Sequence, residues 1–148
     1  MNWYKKSQTA GGVINQQKEK RESLIDGRPV YLVDGQEYMQ PRQDLGDPLW
    51  SIPVSLIEKG WKGDRGFYLG TENQGILGRK DRFIEFLNND IPVETPIIHV
   101  DENGKISFTN GRHRYSVLRD MGRNNIAFTL SESANFTYLL QNGAVRLK

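Results

Sequence analysis

The chain contains no cysteine. That absence excludes disulfides, thiolate metal sites and a cysteine nucleophile, and it suits a reducing compartment. Long apolar runs are also missing: nowhere do about 18 apolar residues occur together, as a membrane span would require. The opening residues, Met-Asn-Trp-Tyr-Lys-Lys, lack the apolar core of a signal peptide. A soluble, cytoplasmic protein with no membrane partner is the expectation. An excess of either charge is lacking too. Twenty Lys and Arg stand against 18 Asp and Glu, a formal charge of +2, too little by itself to argue for nucleic acid. Carboxylates at metal-site spacing are not evident: Asp81, Glu85, Asp101 and Glu102 are candidates, but their spacing defines no metal site.

At 148 residues the chain can bury one sizeable core. Residues 1–22 are polar, broken by Gly11-Gly12, and read as a loosely ordered arm with a short helix near residues 16–24. Residues 23–148 read as a single domain. Two β-branched runs around Asp34-Gly35 predict a hairpin over residues 28–39. Residues 40–48 follow as loop, and 53–57 are short enough to be either a strand or a buried helical turn. Residues 58–74 carry glycines at 60, 63, 66 and 70 among Lys59, Trp61, Phe67 and Tyr68. They read as a surface loop that either contacts nucleic acid or is pinned to the core by its aromatic side chains.

The apolar spacing of Phe83, Ile84 and Leu87 predicts a helix over 78–88, with Arg79 and Arg82 in its first turn. A second hairpin over 95–108 turns at Asn103-Gly104, a pair that favours type I′ geometry. His99 lies in it and reads as structural. After Phe108 a helix starts almost at once, with Asn110 as the expected N-cap. Tyr115, Leu118 and Met121 form its buried stripe, and Gly122 stands at the C′ position. Residues 125–130 return as a strand, expected to lie parallel beside the strand that ends at Phe108.

The join between that strand and its helix carries the chemistry. Helices favour acids in the first turn, where they complement the macrodipole. Here Arg112, His113 and Arg114 occupy it. Gly111 lets the backbone approach a ligand, the first amides of the helix attract anions, and the arginines can clamp oxygens bidentately. His113 can bind, or act as acid or base. A phosphate fits this set. Ordinary salt bridges to Asp81, Glu85 or Asp120 are the plainer alternative.

Residues 106–122, with 126–130 behind them, resemble the signature of the ParB/sulfiredoxin superfamily: strand, Asp/Asn-Gly-x-His/Arg-Arg, helix, glycine, strand. The likeness covers about 78–130 and includes the arginine-led helix upstream. It implies an α+β, ParB/sulfiredoxin-like fold, a small mixed sheet with two or three flanking helices. It further implies a stand-alone ParB-like domain of phage or mobile-element type, binding nucleotide or DNA. The implied phosphate site takes Asn110, Gly111, Arg112, His113 and Arg114, supported by Arg79 and Arg82, with His113 as the catalytic candidate. A nucleoside triphosphate with Mg²⁺ is the implied cofactor. Nucleotide hydrolysis, nuclease action and phosphotransfer are the activities the family admits. Sulfiredoxin chemistry is excluded by the missing cysteine, and Asn110 stands where the family's serine kinases carry an acid. A non-catalytic nucleic-acid-binding module and a small-molecule, serine-type phosphotransferase are the alternatives.

Overall fold

The computed structural model describes residues 20–64, Phe83, Leu87 and residues 91–148. The helix starts at Arg79 and Arg82, the acids Asp81 and Glu85, residues 65–74 of the glycine-rich stretch, and the arm before Lys20 lie outside the described residues. Phe83 and Leu87 are helical and pack against the core.

Strands β1 (Lys20–Ile25), β2 (Arg28–Val33) and β3 (Gln36–Met39) form an antiparallel meander. Each hairpin turns on an Asp-Gly pair with both residues at positive φ: Asp26 and Gly27, then Asp34 and Gly35. Type I′ turns require this geometry, because their twist matches that of the flanking strands. The second hairpin is the one expected. Over residues 20–24 the first takes the place of the helix anticipated near residues 16–24, since Lys20–Ile25 pairs with β2 as a strand; residues 16–19 lie outside the described residues. A two-residue strand, β5 (Val93–Glu94), adds in parallel to β3 and completes this sheet.

The second sheet has the order β7-β6-β8-β4-β9. Its strands are β4 (Leu49–Pro53), β6 (Ile97–Val100), β7 (Ile106–Asn110), β8 (Asn125–Leu130) and β9 (Val145–Arg146). Helix α1 (Val54–Trp61) follows β4 directly, so residues 54–57 are helix and Pro53 closes the strand. Helices α2 (Arg112–Asp120) and α3 (Phe136–Gln141) follow β7 and β8.

The expected parallel neighbours, β7 and β8, are not neighbours. β6 pairs with β7 antiparallel and with β8 parallel, so β6 lies between them. The hairpin fixes β7 outside β6, and α2 then carries the chain across β6 to its free edge. That hairpin also departs from type I′. Only Gly104 is left-handed, its N–H donates to the Asp101 carbonyl at 3.1 Å, and the Asp101 carboxylate accepts from the N–H groups of Asn103 and Lys105. Those two amide bonds hold the Asp101 carboxyl below its usual range.

One hydrophobic cluster joins both sheets. Tyr31, Val33, Tyr38 and Val93 enter from the first, and Leu49, Ile52, Ile98, Val100, Ile126 and Phe128 from the second. Trp61, expected on a loop, is the last residue of α1 and fully buried, so here the core-pinning role holds. Its ring lies 4.5 Å from Phe108 and 5.6 Å from Tyr115. Of the expected α2 stripe, Tyr115 and Leu118 are buried, but Met121 is 51% exposed. The helix ends at Asp120, and a Schellman closure follows it. The Gly122 N–H bonds Arg119 O and the Arg123 N–H bonds Leu118 O.

α1 and α2 are tied by a polar clamp. The Tyr115 hydroxyl donates to Glu58 Oε2 at 2.7 Å, and Arg119 Nη1 donates to both Glu58 oxygens at 3.1 Å. Burial pushes the Tyr115 phenol well up, and the neighbouring carboxylate adds to the shift. Glu58→Ala would strand a buried hydroxyl and weaken the hold on Arg119. It should lower unfolding stability by about 1 to 2 kcal/mol in urea titration. An unchanged midpoint would show that the clamp contributes nothing.

Candidate anion-binding cleft at the strand–helix junction

The junction is built by one residue in the left-handed region. β7 ends at Asn110, and Gly111, at φ 84° and ψ 12°, is the N-cap of α2. Asn110 is therefore not the cap. It stays paired with Ile97, and no side chain caps the helix. The first helical hydrogen bond runs from the Tyr115 N–H to Gly111 O at 2.9 Å. Among the described residues the Gly111 N–H has no hydrogen-bond partner.

Gly111 is needed for space as well as for φ. A Cβ placed there would stand 2.7 Å from Pro96 Cα and 2.7 Å from Arg114 Nη2. The room expected for a ligand beside Gly111 is thus partly taken by the protein's own guanidinium. Arg114 Nε donates to Glu94 O at 3.1 Å. The Glu94 side chain is in turn held by Arg28, Nη1 to Oε2 at 2.8 Å, and the same Nη1 donates to Gln40 O. Arg28 is buried. Arg114 is therefore aimed by the first sheet, through a chain that no local pattern reveals. Glu94 and Arg28 are the residues that sequence reasoning misses.

The cleft beside this turn has a volume of about 680 Å³. Among the described residues its wall is the continuous run 109–114 together with Phe83 and Phe108. Arg112 and Asn110 are exposed, while His113 is only 6% exposed and forms part of the wall. Asn110, Gly111, Arg112, His113 and Arg114 thus come together as expected. The first turn of α2 contains no acid. Two further arginines of the segment turn away from the cleft: Arg119 bonds Glu58 and Asp120, and Arg123 bonds Gln36 Oε1. The aromatic walls are a further feature absent from the sequence reading. Phe108 reaches the cleft from the core, where it packs on Trp61, Tyr115 and Phe128.

At the other end of the second sheet, His99 Nδ1 lies 2.7 Å from Ser131 Oγ. This bond ties β6 to the residue after β8, in keeping with a structural histidine. Among the described residues no three or more His, Asp or Glu side chains are grouped so as to hold a metal ion. Among them, too, no helix is long and apolar enough to cross a membrane.

The fold and cleft define a small α+β protein with two mixed sheets and an anion-compatible strand–helix turn. Compared with models of protein families, with curated proteins and with solved structures, the chain matches none.

Proposed function

We propose that the chain is a ParB/sulfiredoxin-like domain that binds a phosphate-bearing ligand, a nucleotide or DNA, in the cleft at residues 110–114. One observation carries the reading. The cleft is walled by a left-handed glycine, the cationic first turn of a nine-residue helix, and no acid in that turn. Such a turn opposes the helix macrodipole. A bound anion reverses the sign of that conflict, because it can accept from helix amides and a guanidinium together. Phe83 and Phe108 suit the flat face of a base or sugar beside the phosphates.

In this reading Arg114 is the fixed clamp and Arg112 the exposed one. Gly111 supplies an amide, and Mg²⁺ arrives with a triphosphate. Arg79 and Arg82 remain proposed supports. Hydrolysis of a nucleotide or phosphodiester would fall to His113. A setting in phage or mobile-element DNA metabolism rests on the sequence resemblance alone.

Thermal-shift titration with CTP, ATP, ADP and Mg²⁺ tests the site, because a ligand bound only to the native state raises apparent stability. At least one nucleotide should stabilise the protein. Arg114→Ala should weaken that binding by about tenfold or more, the worth of a charge-assisted hydrogen bond. Wild-type affinity in Arg114→Ala would remove the site from residues 110–114. If no nucleotide acts while DNA binds with steep salt dependence, the ligand is a nucleic-acid backbone.

A further inference from the structure

The chain contains three Asn-Gly pairs, at residues 103–104, 110–111 and 142–143. A glycine after asparagine leaves the following amide nitrogen open to attack on the side-chain carbonyl, because no Cβ shields it. We infer that Asn110 is a site of spontaneous deamidation, and that its conversion to a carboxylate is a chemical off-switch in the anion cleft.

The three pairs differ in what holds them. At 103–104 the attacking nitrogen is engaged, since the Gly104 N–H donates to Asp101 O at 3.1 Å. Asn103 is also fixed through its own N–H on Asp101 Oδ1 at 2.8 Å. At 142–143 the side chain is engaged, since Asn142 Nδ2 donates to Tyr138 O at 2.8 Å. At 110–111 neither restraint is present among the described residues. The Asn110 side chain is exposed and makes no hydrogen bond, and the Gly111 N–H makes none. Asn110 is also the final residue of β7, an edge strand of its sheet among the described residues. The ladder to β6 shifts register between Ile97 and Ile98, so its pairing with Ile97 lies beyond an irregularity. A terminal pair past a bulge opens more readily than a ladder interior.

The chemistry needs only water. The Gly111 nitrogen loses its proton and attacks Asn110 Cγ, forming the N–Cγ bond of a five-membered imide. The Cγ–Nδ2 bond breaks and ammonia leaves. Water then opens the ring at either carbonyl, giving an aspartyl or isoaspartyl residue. Both products place a negative charge beside Arg112 and Arg114, and the isoaspartyl product also lengthens the backbone at the turn. An incoming phosphate would meet repulsion where it met a neutral amide. The consequence for affinity rests on the proposed phosphate site, whereas the modification itself does not.

The experiment has two arms. The intact protein is aged in mildly alkaline buffer, and tryptic peptides are followed by mass. The peptide of residues 106–112 contains Asn110 as its sole asparagine. It should gain the mass of an amide-to-acid exchange about fivefold faster than the Asn103 or Asn142 peptides, the population factor for releasing one ordinary hydrogen bond. Asn110→Gln should leave that peptide unchanged. Earlier conversion of Asn103 or Asn142, or an Asn110 that keeps its amide while they lose theirs, overturns the assignment. In the second arm, inorganic phosphate and triphosphate affinities are compared between wild type and Asn110→Asp. A severalfold loss supports the switch, and equal affinity overturns it. Wild type that binds neither anion overturns the phosphate site and the switch, and leaves the deamidation ranking standing.

Discussion

Gly111→Ala is expected to damage stability and binding together. The residue sits at φ 84°, where a Cβ costs about 1 to 2 kcal/mol against the following carbonyl. The new methyl would also stand 2.7 Å from Pro96 Cα. That contact is with backbone, so it cannot be relieved by a side-chain rotation, and overpacking of this kind adds about 1 to 3 kcal/mol. A total loss of about 2 to 5 kcal/mol in denaturant unfolding is the expected result. The second close contact, Arg114 Nη2, must swing away, which takes the fixed clamp out of line. Phosphate affinity should therefore fall even when measured on the folded fraction. Retention of both stability and binding would mean that the turn tolerates a different backbone path.

Trp61→Ala is expected to have the largest effect on stability alone. Trp61 is fully buried and touches Phe108 and Tyr115, one forming a wall of the cleft and the other the first buried residue of α2 beyond it. Removing so large a ring leaves a cavity that partial collapse cannot fill, and losses of about 3 to 5 kcal/mol follow such truncations. Chemical denaturation with intrinsic fluorescence or circular dichroism reads the change. Trp61→Phe, which keeps most of the aromatic packing, should recover much of it. A loss under about 1 kcal/mol would place Trp61 outside the cooperative core.

What the sequence reveals here follows the range over which each determinant acts. The hairpin at Asp34-Gly35 is legible because the turn residues and the flanking runs are adjacent. α2 is legible from its stripe and from Gly122, and the grouping of residues 110–114 follows from their being consecutive. β1 carries the same Asp-Gly signal at its end, yet its polar residues show no apolar alternation, so only pairing with β2 defines it. Asn110 reads as a cap because its side chain suits that role, but the strand ladder retains it and Gly111 takes the corner. Strand order is set by which free edge α2 can reach, a property of the assembled sheet. The Arg28–Glu94–Arg114 chain joins residues far apart in sequence through a backbone oxygen, and a backbone oxygen has no residue type to recognise.

The position of β8 has a consequence for how the chain folds. It is the middle strand of the five-stranded sheet, flanked by β6 and β4, yet all but one of the other described strands precede it. β4 pairs with β8 across more than seventy residues, through the register Leu49↔Thr129 to Pro53↔Asn125. Loop closure of that span must be met before the pairing returns any stabilisation, so the sheet assembles late and slowly. During synthesis, β4 and β6 wait with open edges until residue 130 has left the ribosome. In that interval the nascent chain is most exposed to strand-pairing with other chains.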